Sequence, residues 1–361
     1  MKRSASCVVW AIIAVGALFV GDGASVQAAV IVVSTTIQAA VDAADPGDII
    51  VVPPGTYQES VLVTTDELTI QGSSAAILDA SGFPDGIHIG AAGLVTGPDR
   101  LPACPPIAVR HFTLRGLTIR NADQNGVFLN GVEGYTLTHG TYLDNGIYGL
   151  FPECSTQGHI AFNRVHGGAE TCIYVGNDVG ASITDNHATG CLLGIQIENS
   201  RDLVVRRNRL TDNTAGLLAI VNPFLPLPTT ENLLIEQNVI VRNNRPNQST
   251  EPELAIIPSG TGVLNVGSDT LIISGNVVAD HNTFGVVIAQ NPRAAEDPRI
   301  EPHPDGNQVQ RNVVLGNGRH PVDALPGGDI VYDGSGTGTC FAHNLFTSAT
   351  PANIEELFPC P

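Results

Sequence analysis

Four side chains suited to proton transfer fall within a short stretch of this 361-residue chain: His166, Glu170, Tyr174 and Glu198. Two carboxyl groups flanking a glycosidic bond can act as acid and as base or nucleophile. A histidine or tyrosine base can instead abstract the proton beside a uronate carboxylate, when an arginine or a cation neutralises that carboxylate. That route gives β-elimination or C5 epimerisation. His88, Phe128, Tyr148, Gln196 and Asp178 recur at related places and offer the rings and polar groups that hold sugars. Asp178 and Glu198 are also candidate oxygen ligands for Ca2+. Taken singly, each acid reads as a solvated turn residue, and only a fold that gathers them makes a site.

A repeat supplies that fold. Short β-rich runs end at Asn163, Asn186, Asn208, Asn238, Asn276, Asn312 and Asn344, and Gly116 and Gly140 take the same place upstream. The intervals begin at 24, 23, 23 and 22 residues and then stretch to 30, 38, 36 and 32. A near-constant period with later excess means one coil per repeat, with insertions at a loop. Between the Asn positions a second motif recurs: Gly126-Val-Phe-Leu, Gly146-Ile-Tyr, Cys172-Ile-Tyr-Val, Gly194-Ile-Gln-Ile, Gly216-Leu-Leu, Gly262-Val-Leu and Gly285-Val-Val-Ile.

Strand alternation turns Val127, Ile147, Ile173, Ile195, Leu217, Val263 and Val286 inward as one stack. The next residue in each coil faces outward: His88, Phe128, Tyr148, Tyr174, Gln196, Leu218, Leu264 and Val287. Phe128, Tyr148 and Tyr174 then form an aromatic stripe. Such rings either stack on sugar faces or pack beneath a loop such as 91–106. The Asn column itself reads as structural, since Asn tolerates the left-handed conformation of tight bends and stacked amides bond from coil to coil.

The ends read as caps. Residues 36–44 have Ile37, Ala40, Val41 and Ala44 on one helical face, and residues 353–358 followed by Cys360 suggest a second cover. Segments 91–106, 222–230, 245–260 and 292–306 read as Pro-rich loops, with no interdomain linker among them.

Residues 1–28 have the form of a secretory leader: Lys2 and Arg3, an apolar run from Cys7 to Val20, and small residues at Val26-Gln27-Ala28. The run is short for a membrane span, so the expectation is a secreted or periplasmic, monomeric domain over 29–361. Without the leader, basic residues fall from 17 to 15 and acidic ones from 35 to 34, which moves the net charge from −18 to −19 and leaves no lysine. That balance argues against nucleic acid and anionic membranes as partners. Six cysteines remain, an even number that suggests disulfides in an exported chain. Cys340 and Cys360 are placed to staple the C-terminus, while pairing among Cys104, Cys154, Cys172 and Cys191 stays open.

The stretch 36–61, TIQAAVDAADPGDIIVVPPGTYQESV, resembles the N-terminal coil and cap of pectate-lyase-like proteins. The units NGIYGLFPEC, CIYVGND, LGIQIENS and TGVLNVGSDTLIISGN resemble those of an exported bacterial subgroup of the parallel β-helix repeat family. The resemblance spans nearly all of residues 30–346. It implies an all-β fold, a right-handed parallel β-helix of about ten coils. It also implies action on polysaccharide, although function belongs to the site and not to the helix. The signatures Asp-Pro-His-Asp and Asn-Thr-Asp are absent from the sequence, and so is a lysine base. The expected function is binding, with lyase, epimerase or hydrolase action as candidates, of an extracellular polysaccharide. A non-catalytic scaffold that engages protein through its loops is the alternative.

Overall fold

The computed structural model describes residues 28–97, 100–322 and 324–361. All but the last residue of the expected leader lies outside the described residues.

Parallel strands stack coil upon coil. Twelve of them form one face, running from Val30–Val32 through Thr113–Arg115 and Ser182–Thr184 to Cys340–Ala342. The other two strands of each coil belong to a second, larger sheet. In two coils these strands fuse into single long ones, Arg164–Gly176 and His187–Glu198. Val127, Leu150, Ile173, Ile195, Leu217, Val263, Val286 and Ile330 pair in register along the axis, and each is 0% exposed. Burial of each such aliphatic contributes about 1.5–3 kcal/mol, which is ample to hold one coil on the next.

One expected member of that column is displaced. Leu150, not Ile147, occupies the interior position, and Ile147 is half-buried. The motif in this coil is therefore Gly149-Leu150-Phe151-Pro152. Gly146-Ile147-Tyr148 copies it three residues too early. The glycine column explains the preference for Gly149. A Cβ there would sit 2.7 Å from the Cys172 carbonyl oxygen, and one at Gly126 would sit 2.5 Å from that of Gly149.

The Asn residues form a ladder inside the bend between the first and second strands. Asn186 Oδ1 accepts from the Asn163 backbone N–H and Nδ2, both at 3.0 Å. Its own Nδ2 donates to Ile160 O at 2.9 Å and to Asn208 Oδ1 at 3.0 Å. The pattern continues to Asn344, which donates to Glu355 Oε1. The left-handed residue is the one before each Asn: Phe162, Asp185, Arg207, Gln237, Arg311 and His343 all have positive φ. The Asn is therefore the interior hydrogen-bonding member of the bend, not its left-handed one.

A second ladder lines the bend between the second and third strands, five residues after the first. It runs Asn213, Asn243, His281, Asn317, Asp329. His281 takes an Asn place by accepting from Asn243 Nδ2 at Nε2 and donating from Nδ1 to Asn317 Oδ1. Burial pushes its pKa down to about 4, so the neutral ring fits the ladder.

At the N-terminal end the helix Ile37–Asp42 packs against Val61–Val63, with Ile37 fully buried. Glu59 accepts from the Ile37 and Gln38 N–H groups. At the other end, Ile354–Leu357 is helical and Cys340 pairs with Cys360. The remaining disulfides are Cys104–Cys154 and Cys172–Cys191. No helix among the described residues is long and apolar enough to cross a membrane.

Candidate functional site

The outer face of the third strands carries a cleft of about 540 Å³. Its floor comes from successive coils: Tyr174, then Gln196 and Glu198, then Leu218 and Ile220, then Leu264 and Val266. Two insertions wall it. One, 251–258, enters between the second and third strands and holds the short helix Pro252–Ala255. The other, 289–293, leaves the end of the strand Phe284–Ala289. The floor is thus acidic and aromatic at one end and aliphatic at the other.

The acidic end is tightly bonded. Gln196 Nε2 donates to Glu198 Oε2 at 2.6 Å, and Gln196 Oε1 accepts from Thr171 at 2.8 Å. The Tyr174 hydroxyl also bonds to Glu198. Tyr148 donates to Glu170 Oε2 at 2.8 Å. Gly176, in register between Glu153 and Glu198, has no side chain, and the Tyr174 ring fills that gap. A Cβ at Gly176 would stand 2.5 Å from the ring. Burial raises the pKa of Glu198 despite hydrogen bonds from Asn222, Gln196 and Tyr174. Burial also raises Glu170, against the bond from Tyr148 and with the charges of Glu251 and Glu253 adding to it. Glu153 is pushed up to about 7 by burial and then by Glu198. Like charges in a shared, poorly solvated space favour protonation. Among the described residues that line the cleft, Arg293 is the one base, and it is held by Glu253 at 2.7 Å and Glu296 at 2.9 Å.

Residues 108–278 match the family described as right handed beta helix region. Several solved structures share the fold. The A-module of mannuronan C-5 epimerase AlgE4 from Azotobacter vinelandii is 16% identical, with a TM-score of 0.62 over 86% of this chain and 84% of that one. An alginate lyase from Paenibacillus sp. is 14% identical, with a TM-score of 0.57 over 86% and 99%. The DFA-IIIase of Arthrobacter chlorophenolicus, solved in complex with DFA-III, is 14% identical, with a TM-score of 0.56 over 88% and 80%. The chain has the right-handed parallel β-helix fold. No curated protein matches it.

This β-helix brings Glu170, Tyr174, Gln196, Glu198 and Tyr148 into one cleft. Tyr148 arrives by a different route from the one its spacing implies. It pairs with Asn125, while Phe151 takes the outward position beside Phe128. The rings of Tyr148, Phe151 and Tyr174 then touch, with centroids 4.7–5.0 Å apart. Phe128 and Tyr174 are only 8% and 6% exposed, so most of the aromatic stripe is packed and its faces are not free for sugar.

Four expected site residues lie outside the cleft lining: the packed Phe128, and His88, His166 and Asp178. His88 packs edge-on against Phe128 and bonds to Asp85 and Ala91 O, outside the cleft lining. His166 is exposed on the second strand of its coil, on a different face. Asp178 is fully buried and accepts from the interior Tyr135 hydroxyl at 2.9 Å. It therefore does not join Glu198, and the proposed Ca2+ pair falls with it. Among the described residues no cluster of three His, Cys, Asp or Glu could hold a metal. Glu251, Glu253, Asn222 and Arg293 are cleft residues that the repeat could not reveal, because they sit in insertions with no register. Phe151 was accessible: the 23-residue period counted from Phe128 reaches it, and counted again it reaches Tyr174.

Proposed function

We propose that the cleft binds an uncharged glycan and hydrolyses a glycosidic bond, with Glu198 as the proton donor and Glu170 as the carboxylate partner. The observation that carries this reading is the buried Glu198 carboxyl, fixed by Tyr174 and Gln196, facing one cavity with Glu170. A buried acid with a raised pKa holds its proton to higher pH than a free carboxyl and can give it to the leaving oxygen. Glu170, more open to solvent and steadied by Tyr148, is suited to draw a proton from water or to attack the anomeric carbon.

Elimination and epimerisation fit less well. They require a base and a free cation for the uronate, but Tyr174 is engaged by Glu198 and Arg293 by two glutamates. Of the Pro-rich insertions, 245–260 supplies a cleft wall through 251–258, and 292–306 contributes Pro292 and Arg293. The structural neighbours include a mannuronan C-5 epimerase, an alginate lyase and a DFA-IIIase, which supports a carbohydrate ligand here. The leader-like segment and three disulfides support action outside the cytoplasm.

The test is a reducing-end assay over neutral and uronate oligosaccharides, with wild type and Glu198→Gln. The expected result is turnover of a neutral substrate that drops about 10²–10⁴-fold in the variant, the usual contribution of a positioned acid. Turnover that survives Glu198→Gln, or none on any substrate, removes the hydrolytic assignment.

A further inference from the structure

A second cavity of about 410 Å³ lies on the other side of the insertion that walls the cleft. Its lining differs in kind: Arg245, Gln248, Ser249, Thr250 and Thr214 offer donors and acceptors, beside the small Gly168 and Gly190. Glu170 and Glu251 line both cavities. The two spaces therefore adjoin at the carboxylate partner named above. Away from that junction the main cleft becomes aliphatic, with Leu218, Ile220, Leu264 and Val266 below and Leu254 and Ile257 on the wall. Ile256, on the rim, is 66% exposed.

We infer that the ligand is a glycoside of mixed character, with its sugar in the polar cavity and an uncharged apolar group along the aliphatic end of the main cleft. The inference rests on the reading of the cleft as a glycoside site and names the substrate class within it. A chain of sugars alone would leave the aliphatic walls facing hydroxyls, whereas an alkyl or aryl group removes both surfaces from water. The carboxylates around the junction exclude an acidic head group. Arg245 lies near Asp212 at 3.6 Å and does not offset them. The bond between sugar and apolar group then lies at Glu170 and Glu198, where the acid–base pair is found.

Titration calorimetry with matched methyl and octyl glycosides of neutral sugars, each below its micellar concentration, tests this in wild type and in Glu198→Gln. The expected result is octyl binding at least tenfold tighter than methyl binding for the sugar that binds, in both proteins. Leu264→Asn, at a half-buried position on the aliphatic floor, narrows the gain to less than threefold. The milder Val266→Ala reduces it in the same direction. Equal affinities, binding of neither series, or an octyl gain that survives Leu264→Asn overturns the inference. The octyl gain without any cleavage would sink the hydrolytic reading and leave the ligand class standing. Glu198-dependent cleavage with no octyl gain would do the reverse.

Discussion

Asp178 has its carboxyl pushed up to about 8 by burial, even though Tyr135 and the Val179 N–H both donate to it. An acid whose pKa is higher folded than unfolded binds extra protons in the folded state between the two values. Stability is then fully present below its ordinary value of 3.8 and is lost as pH rises to about 8. Glu153, pushed up to about 7, acts in the same direction. His281 acts oppositely: its contribution is whole above 6.5 and is lost as pH falls toward about 4. Between pH 6.5 and 8 the carboxyl trend is joined by His88, raised by its bond to Asp85, and His303, raised by its bond to Glu301, which also lose their contribution as pH rises, so the melting temperature should fall across that window. Asp178→Asn, which keeps an acceptor for Tyr135, should flatten most of the fall and gain on the order of a few kcal/mol at pH 8. Thermal unfolding of both proteins at pH 6.5 and 8 checks this, and parallel curves would refute it. At Gly176 the expected effect is local: Gly176→Ala pushes the Tyr174 ring off Glu198, so activity falls more than tenfold while the melting temperature drops by only a few degrees.

At the scale of the element, the two amide ladders do different amounts of work. Asn238 is 1% exposed, and its side chain takes part in four hydrogen bonds spanning three coils. Asn238→Ala takes the acceptor from the Asn208 backbone N–H and from one Nδ2 hydrogen, and the Nδ2 donor from the Val205 carbonyl, and a cost of about 1–3 kcal/mol per group left unpaired follows. The expected outcome is a lower urea midpoint with an unchanged slope. Asn353→Ala, at an exposed site whose side chain makes no capping hydrogen bond, should change little. The contrast between ladders shows what the sequence could disclose. The first ladder was legible because every bend of its kind has the same length, so Asn recurs in phase. The second keeps the same spacing, five residues after each Asn of the first, but Gly168 and Cys191 hold its earlier places and His281 and Asp329 stand in for Asn. Tyr148 fell to a related trap: a local Gly-Ile-Tyr matched the motif three residues out of phase, and only the packing of Leu150 against Ile173 reveals the true register.

For the molecule as a whole, the strands give an axis and the insertions give the site. The axis could be read from residue periodicity, whereas the cleft walls could not, because 251–258 and 289–293 carry no repeat. Charge also acts at this scale. A chain with a net charge of −18 and a cleft whose single arginine is already paired should reject polyuronates. Binding of neutral oligosaccharide should therefore exceed binding of oligouronate of equal length by at least tenfold at low salt, with a smaller gap at high salt. Calorimetry at two ionic strengths decides the matter, and tighter uronate binding would contradict it.

Every rung of the first ladder points its amide the same way, with oxygen toward the earlier coil and N–H toward the later one. The small dipoles therefore add along the column, as peptide dipoles add along an α-helix, and the donating end is the positive one. That end meets the Glu355 carboxylate. The second ladder closes in the same way on Asp329. Burial works against that charge, yet hydrogen bonds from Thr347 and Asn317 outweigh it and hold the acid ionised. Both columns thus behave as polarised wires, each earthed by an anion near the C-terminal end. A coil added beyond them would need to bring its own counter-charge.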